Sequence, residues 1–112
     1  MLDFWATWCG PCRASAPLME KIYSDYKDRG LVVLGVNVAE DRDVIDAFIQ
    51  KHSFAYPIVM SSESSILTDY KVNAYPTFVL IEEGRVIAEL IGFPGEPALP
   101  HMLEKSKLAV KR

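Results

Sequence analysis

Residues 31–38 form an almost uninterrupted apolar run, LVVLGVNV, that is rich in valine. A strand of this composition has no polar face to present to water. It therefore predicts a central parallel strand that is covered on both faces of its sheet. Strands that run parallel need a crossover connection, which is usually a helix. The run accordingly predicts an α/β domain with helices on both faces of the sheet.

The rest of the chain alternates between strand and helix patterns. Residues 2–5 have the pattern of a short buried strand, and apolar residues at helical spacing then run from Pro11 to about Asp28, where Gly30 stops the helix. Pro17 lies inside this helix and is expected to kink it. The remaining predicted elements are a helix opening at residues 40–43 with Val44, Ile45, Phe48 and Ile49 inward, a strand at 57–60, a polar loop at 61–65, a short helix at 66–70, a hairpin of strands 77–81 and 86–91, and a last helix at 97–110.

Composition and charge limit the classes of partner. The chain has 112 residues without a repeat or linker, so residues 1–112 are predicted to form one domain. The net charge is −3 and there is no basic cluster, which argues against nucleic acid as a partner. No uncharged run approaches the roughly 18 apolar residues that a membrane span needs. No basic segment opens a signal peptide, so the chain acts in the cytosol or lacks its export segment.

Cys9 and Cys12 are the only cysteines. A pair this close in sequence cannot staple a fold, which leaves a local redox pair, half of a metal site or coincidence. Zinc prefers four ligands, and the other soft candidates, His52 and His101, lie far away on separate predicted helices. The redox pair is therefore the favoured interpretation, and no metal site is predicted.

The position of the pair at a strand-to-helix junction has a chemical rationale. Cys9 precedes the helix, where unpaired backbone N–H groups and the helix dipole stabilise a thiolate. Cys12 lies one turn further on, close enough to bond to Cys9 and expected to be less exposed. Gly10 and Pro11 permit the tight turn between them. Cys9 is therefore predicted to be the attacking nucleophile and Cys12 the resolving thiol.

The motif Trp8-Cys9-Gly10-Pro11-Cys12 resembles the thioredoxin active site, and the longer run from Phe4 to Arg13 resembles the TlpA/ResA-like thiol-disulfide oxidoreductases. The likeness extends over nearly the whole chain, through Pro17, the end of the run 31–38, Tyr75-Pro76-Thr77 and Gly84. It implies a thioredoxin fold with a mixed sheet of about five strands and an αβ insertion over about residues 40–70. Family members have more chain before the strand at 2–5, so this N-terminal strand is expected to be truncated.

The resemblance also implies roles for further residues. Pro76 would form a cis peptide bond beside the cysteine pair, and the backbone of Tyr75 would pair with an extended substrate segment. Trp8, Tyr75 and Gly92 would line the groove in which a substrate disulfide docks, whereas Trp5 is expected in the core. No organic cofactor is implied, because electrons come from a partner protein. The family also suggests an extracytoplasmic location. The chain is predicted to be a monomer.

Asp3 marks a departure from the TlpA/ResA pattern. These proteins usually carry Asn at this position and Glu three residues after the second cysteine, where this chain has Ser15. Asp3 instead matches the buried acid of thioredoxin. We expect it to accept the proton of Cys12, with a pKa that is raised by burial. Thioredoxin pairs that acid with a lysine on the neighbouring strand, and the run 31–38 contains none.

The predicted function is reduction of protein disulfides through the Cys9/Cys12 couple and a mixed disulfide. A disulfide isomerase or oxidase would differ only in redox potential, and the Gly10-Pro11 dipeptide favours the reducing direction. A thiol peroxidase would use an isolated cysteine instead of this pair. If the domain is instead a non-enzymatic binding module, replacing Cys9 by Ser should leave its binding activity intact.

Overall fold

The computed structural model describes residues 1–52, 54–61, 65–95 and 97–109. Parts of the predicted loop at 61–65 and of the predicted helix at 97–110 lie outside the described residues. Within the described residues, the strands and α-helices are, in chain order, β1 (Leu2–Trp5), α1 (Gly10–Tyr26), β2 (Leu34–Asn37), α2 (Arg42–His52), β3 (Ile58–Met60), α3 (Ile66–Asp69), β4 (Thr77–Glu82), β5 (Arg85–Ile91) and α4 (Ala98–Leu103).

Strand β1 lies at the centre of a five-stranded sheet with the order β3-β2-β1-β4-β5. It pairs in parallel with β2, which places Asp3 opposite Gly35, and antiparallel with β4, which places Asp3 opposite Phe78. All residues of β1 are buried. The predicted α/β class and the mixed five-stranded sheet are confirmed.

The two faces of β1 belong to different parts of the core, because successive side chains of a strand point to opposite faces. Leu2 and Phe4 pack with Val36 and Val79 and with residues of α3. Phe78 and Leu80 of β4 point to the other face, where they pack with residues of α1 and α4. Helices therefore cover both faces of the sheet.

Three local expectations differ from the structure. The strand predicted over residues 31–38 is shorter, and β2 begins at Leu34 because its pairing with β1 starts there, opposite Leu2. Helix α4 ends at Leu103, because the backbone N–H groups of residues 104–106 donate to the carbonyls three residues back instead of four. Val44 was expected to face inward and is 46% exposed, because α2 buries a narrow stripe around Ile45.

Two further expectations, the stop at Gly30 and the hairpin, agree with the structure. Helix α1 and a 3₁₀ turn lead to Gly30 in the left-handed conformation. Pro17 lies inside α1, and the kink expected there stays a prediction. Strands β4 and β5 form the predicted hairpin. Its connection is Glu83-Gly84, both with positive φ, as a two-residue hairpin turn of type I′ requires. Across the described ranges, we find no helix that is long and apolar enough to cross a membrane.

Candidate active site

Cys9 and Cys12 lie where β1 passes into α1. Cys9 is the N-cap of the helix, and Pro11 occupies its first turn. The two cysteines form a disulfide, with their Cα atoms 5.2 Å apart. The backbone N–H of Cys12 donates to the Cys9 sulfur (3.2 Å). A thiolate at Cys9 would therefore receive both a hydrogen bond and the favourable field of the helix N-terminus.

The expectation that Cys12 is less exposed than Cys9 is wrong for this disulfide form. Cys9 is 4% exposed and Cys12 is 5% exposed. Both pack in one apolar cluster with Trp5 and Ala6, and Tyr75 lies against that cluster. What distinguishes the two sulfurs is their position on the helix, since Cys9 caps its first turn and Cys12 lies within it.

The predicted groove residues meet around Pro76. The Tyr75–Pro76 peptide bond is cis, and Pro76 is buried. The Trp8 side chain is 64% exposed and contacts the Tyr75 ring edge-on, with 6.0 Å between ring centroids. The backbone N–H of Gly92 donates to the Pro76 carbonyl (2.7 Å). Trp8 thus contacts Tyr75, and Gly92 contacts Pro76, whereas a groove shared by these residues stays a prediction.

Asp3 is buried in the centre of the sheet, with 4% of its surface exposed. Its Oδ2 accepts a hydrogen bond from the Tyr56 hydroxyl (3.0 Å), whereas its Oδ1 has no partner among the described residues. Burial raises the pKa of Asp3 to about 7, and the Tyr56 hydrogen bond opposes part of that rise. Strand alternation places Asp3 on the same face of β1 as Trp5, which packs against the cysteine pair.

Tyr56 is a site residue that the sequence analysis missed. It lies 53 residues from Asp3, in the segment between α2 and β3, and no local pattern marks it. Gly35 leaves the space that its ring needs. A Cβ atom on Gly35 would come within 3.1 Å of Tyr56 Cε2 and within 3.1 Å of Trp5 Nε1. A side chain at Gly35, which lies directly opposite Asp3, would therefore require both rings to shift.

Glu40 is a second site residue that the sequence does not mark, because the charged run 40–43 predicts only a helix start. Helix α2 begins two residues later, at Arg42. The Glu40 carboxylate accepts hydrogen bonds from the backbone N–H of Thr7 (2.7 Å), from the Thr7 hydroxyl and from the Asn37 side-chain amide (2.9 Å). Glu40 therefore ties the loop that carries Trp8 and Cys9 to the end of β2.

Ser15 lies where the TlpA/ResA-like pattern has Glu. It is buried, and its hydroxyl donates to the Cys12 carbonyl (3.1 Å). Helix α1 therefore contributes no carboxylate at this position. Asp3 is then the buried carboxyl group nearest in sequence to the cysteine pair.

Neither histidine lies with the cysteines as a metal ligand. His52 is exposed and stacks on Phe48, with 4.2 Å between the ring centroids. His101 is exposed and contacts Glu104 on α4. Among the residues that the structure describes, there is no group of three or more His, Cys, Asp and Glu side chains suited to holding a metal ion.

Comparison with known proteins gives consistent matches. The profile of the AhpC/TSA family matches residues 1–90. Thiol-disulfide oxidoreductase ResA of Bacillus subtilis is 34% identical over 92 residues, which are 81% of this chain and 51% of the relative. The chain spans about half the length of the curated relatives of this kind.

Solved structures agree in fold. A protein from Chlorobium tepidum, described as the thiol:disulfide interchange protein DsbE, is 31% identical and superposes with a TM-score of 0.84. The match covers 91% of this chain and 74% of that one. StoA from Bacillus subtilis is 26% identical with a TM-score of 0.80, over 92% of this chain and 80% of its own. The thioredoxin fold is thereby confirmed.

The buried Asp3 predicts a pH-dependent stability. Its folded pKa of about 7 lies above the ordinary value of 3.8. The folded state therefore keeps a proton that the unfolded chain releases, and stability falls as the pH rises from about 4 to about 7. At about 1.4 kcal/mol for each pH unit, the ionised group costs on the order of 4 kcal/mol above pH 7.

We expect Asp3→Asn to remove this dependence in the disulfide form. The variant should gain about 1–4 kcal/mol of unfolding free energy at pH 8, where part of the gain is offset by a buried amide donor, and little at pH 4. Urea denaturation at both pH values measures the difference. Asp25→Asn, on the exposed face of α1, is the matched control. A gain of equal size at pH 4 and pH 8 would contradict the assignment.

Proposed function

The chain belongs to the AhpC/TSA family and, within the thioredoxin superfamily, to the ResA-like proteins, and on this basis we propose that it is a thiol-disulfide oxidoreductase that reduces protein disulfides. The observation that carries the proposal is the Cys9–Cys12 disulfide at the N-terminus of α1. The exposed Trp8 beside it supports a surface that meets another protein.

The reaction uses the dithiol form of the pair. The Cys9 thiolate attacks one sulfur of the substrate disulfide, forms a mixed disulfide and releases the other substrate sulfur as a thiolate. The Cys12 thiol then loses its proton and attacks the Cys9 sulfur. This step forms the Cys9–Cys12 disulfide and releases the second substrate sulfur. Two electrons pass from the pair to the substrate, and a partner dithiol protein returns them.

The groove around Pro76 is the proposed docking site. An extended substrate segment would pair with the backbone at Tyr75, as in strand addition to a sheet. The Trp8 and Tyr75 rings would supply apolar contact on one side of the substrate disulfide, and Gly92 would leave room on the other. Gly10 and Pro11 keep the turn beside Cys9 free of large side chains.

Asp3 is the proposed acceptor of the Cys12 proton. A carboxyl group with a pKa of about 7 is well matched to proton transfer near neutral pH. Its burial on the face of β1 that also carries Trp5 supports this role, because Trp5 packs against both cysteines.

The family resemblance supports the remaining parts of the proposal. These are an upstream electron-donor protein, a monomeric state and an extracytoplasmic location. The insertion at about residues 40–70 is part of the same single domain in this proposal.

A redox titration tests the direction of the reaction. We expect the Cys9–Cys12 couple to have a midpoint below about −230 mV, as suits a reductase. Trp5 packs against the pair, so its fluorescence in glutathione or dithiothreitol buffers should report the transition. A midpoint above about −180 mV would indicate an oxidase or isomerase instead.

Single cysteine variants test the assigned roles. With a disulfide-bonded model peptide, Cys12→Ser should accumulate the mixed disulfide at Cys9, because the resolving thiol is gone. Cys9→Ser should form no such adduct and should lose reductase activity, because Cys12 lies within the helix and lacks the N-cap position that stabilises a thiolate at Cys9. Mass spectrometry of the trapped species distinguishes the two variants. An adduct on Cys12 of the Cys9→Ser variant, formed at the same rate, would reverse the assignment.

The proton-acceptor role of Asp3 is tested by kinetics. Asp3→Asn should slow peptide-disulfide reduction at pH 7 by about 10- to 100-fold, since general-base assistance is lost. The Asp25→Asn protein should react at the unaltered rate. Unchanged kinetics in Asp3→Asn at pH 7 would exclude Asp3 as the acceptor.

A further inference from the structure

The Tyr56 hydroxyl is the group that holds the Asp3 carboxylate. It donates to Asp3 Oδ2 over 3.0 Å, and both side chains are buried. Since Asp3 Oδ1 has no partner in the described part of the chain, the ionised carboxylate relies on this one hydrogen bond. Removing the hydroxyl would leave a buried carboxylate with neither oxygen satisfied, which strongly disfavours ionisation.

We propose that Tyr56 is a positioning residue for disulfide exchange, which fixes the Asp3 carboxyl group and sets the pH range in which Asp3 accepts the Cys12 proton. This inference rests on the proposed role of Asp3. Tyr56 lies in the expected insertion over about residues 40–70. The inference therefore gives the expected insertion a part in the chemistry, because Tyr56 supplies a polar partner for the buried acid.

The surroundings of Asp3 leave Tyr56 as its dominant polar neighbour. The strands on either side oppose it with Gly35 and Phe78, which do not titrate. From α1, the charge of Glu20 acts on Tyr56. Cys9 and Cys12, at the start of the same helix, add two further titratable groups once the disulfide is reduced.

Tyr56 stays a hydrogen-bond donor throughout the relevant pH range. Burial raises its pKa well above the usual value, and the charges of Asp3 and Glu20 and the hydrogen bond to Asp3 raise it further. The phenol therefore does not compete for the transferred proton. In the resolving step, the proton passes from Cys12 to Asp3 while the new Cys9–Cys12 bond forms, and Tyr56 keeps its own proton.

The first test is a direct titration of Asp3 in the oxidised protein by carboxyl ¹³C NMR. Tyr56→Phe should raise the pKa of Asp3 by about 1 or more, because a hydrogen bond to the charged form is lost. The matched control is Tyr23→Phe. The Tyr23 ring contacts the Tyr56 ring edge-on, with 6.0 Å between centroids, and its loss of a hydroxyl leaves the Asp3 hydrogen bond in place. The pKa of Asp3 should not move in this control.

The second test is the pH profile of peptide-disulfide reduction. In Tyr56→Phe, the acidic limb of this rate profile should move to higher pH by the same amount as the pKa of Asp3. At pH values below the new pKa, the rate should fall about tenfold. A variant with 3-fluorotyrosine at position 56 should move both quantities to lower pH, because the more acidic phenol is the better donor. A merely structural role would not produce opposite shifts in the two variants.

The outcomes separate this inference from the proposed function. If the Asp3 pKa is unchanged in both Tyr56 variants while Asp3→Asn still slows the reaction, the inference is overturned and the role of Asp3 stands. If the pKa moves but the acidic limb does not, the link between Tyr56 and exchange is overturned. If Asp3→Asn itself has no kinetic effect, the proposed role of Asp3 fails first. In an Asp3→Asn background, Tyr56→Phe should no longer move the profile.

Discussion

Strand β1 is buried over its whole length because β2 covers one edge, β4 covers the other, and helices cover both faces. A carboxyl group at Asp3 is therefore removed from water, and its ionisation becomes costly near neutral pH. The same strand leads directly into Cys9 at the N-terminus of α1. One buried element thus carries a proton-binding group and presents a redox pair, so the packing of the sheet and the chemistry of the site are coupled.

Two side chains distant in sequence complete this arrangement. Tyr56 reaches Asp3 from the segment before β3, through space that Gly35 leaves open. Glu40 binds Thr7 and Asn37 and so holds the loop before Cys9 against the end of β2. Both residues lie in the expected insertion over about residues 40–70. This part of the chain therefore contacts the site and also supplies strand β3 to the sheet.

Much of the fold was predictable, for identifiable reasons. The apolar run at 31–38 predicted a parallel strand covered on both faces, and the hairpin was predicted by two β-rich segments around Gly84. Boundaries were less predictable, because they depend on partners elsewhere. Strand β2 starts where β1 offers a partner, and α4 ends where the backbone hydrogen bonds change from four residues back to three. The exposure of Val44 likewise reflects how α2 lies on its neighbours.

The site, like the fold, combines features that the local sequence predicts with contacts that only the tertiary structure creates. The spacing of Cys9 and Cys12, Pro11 in the first turn and the likeness around Tyr75 and Pro76 are local features. They were sufficient to predict a redox pair and to propose a docking groove beside it. The hydrogen-bond partners of Asp3 and of Thr7 could not be predicted from the sequence. Tyr56 lies 53 positions from Asp3, and Glu40 lies 33 positions from Thr7. Such contacts carry no sequence period. They form when the central strand is buried and its polar groups take the nearest donors and acceptors that the fold supplies.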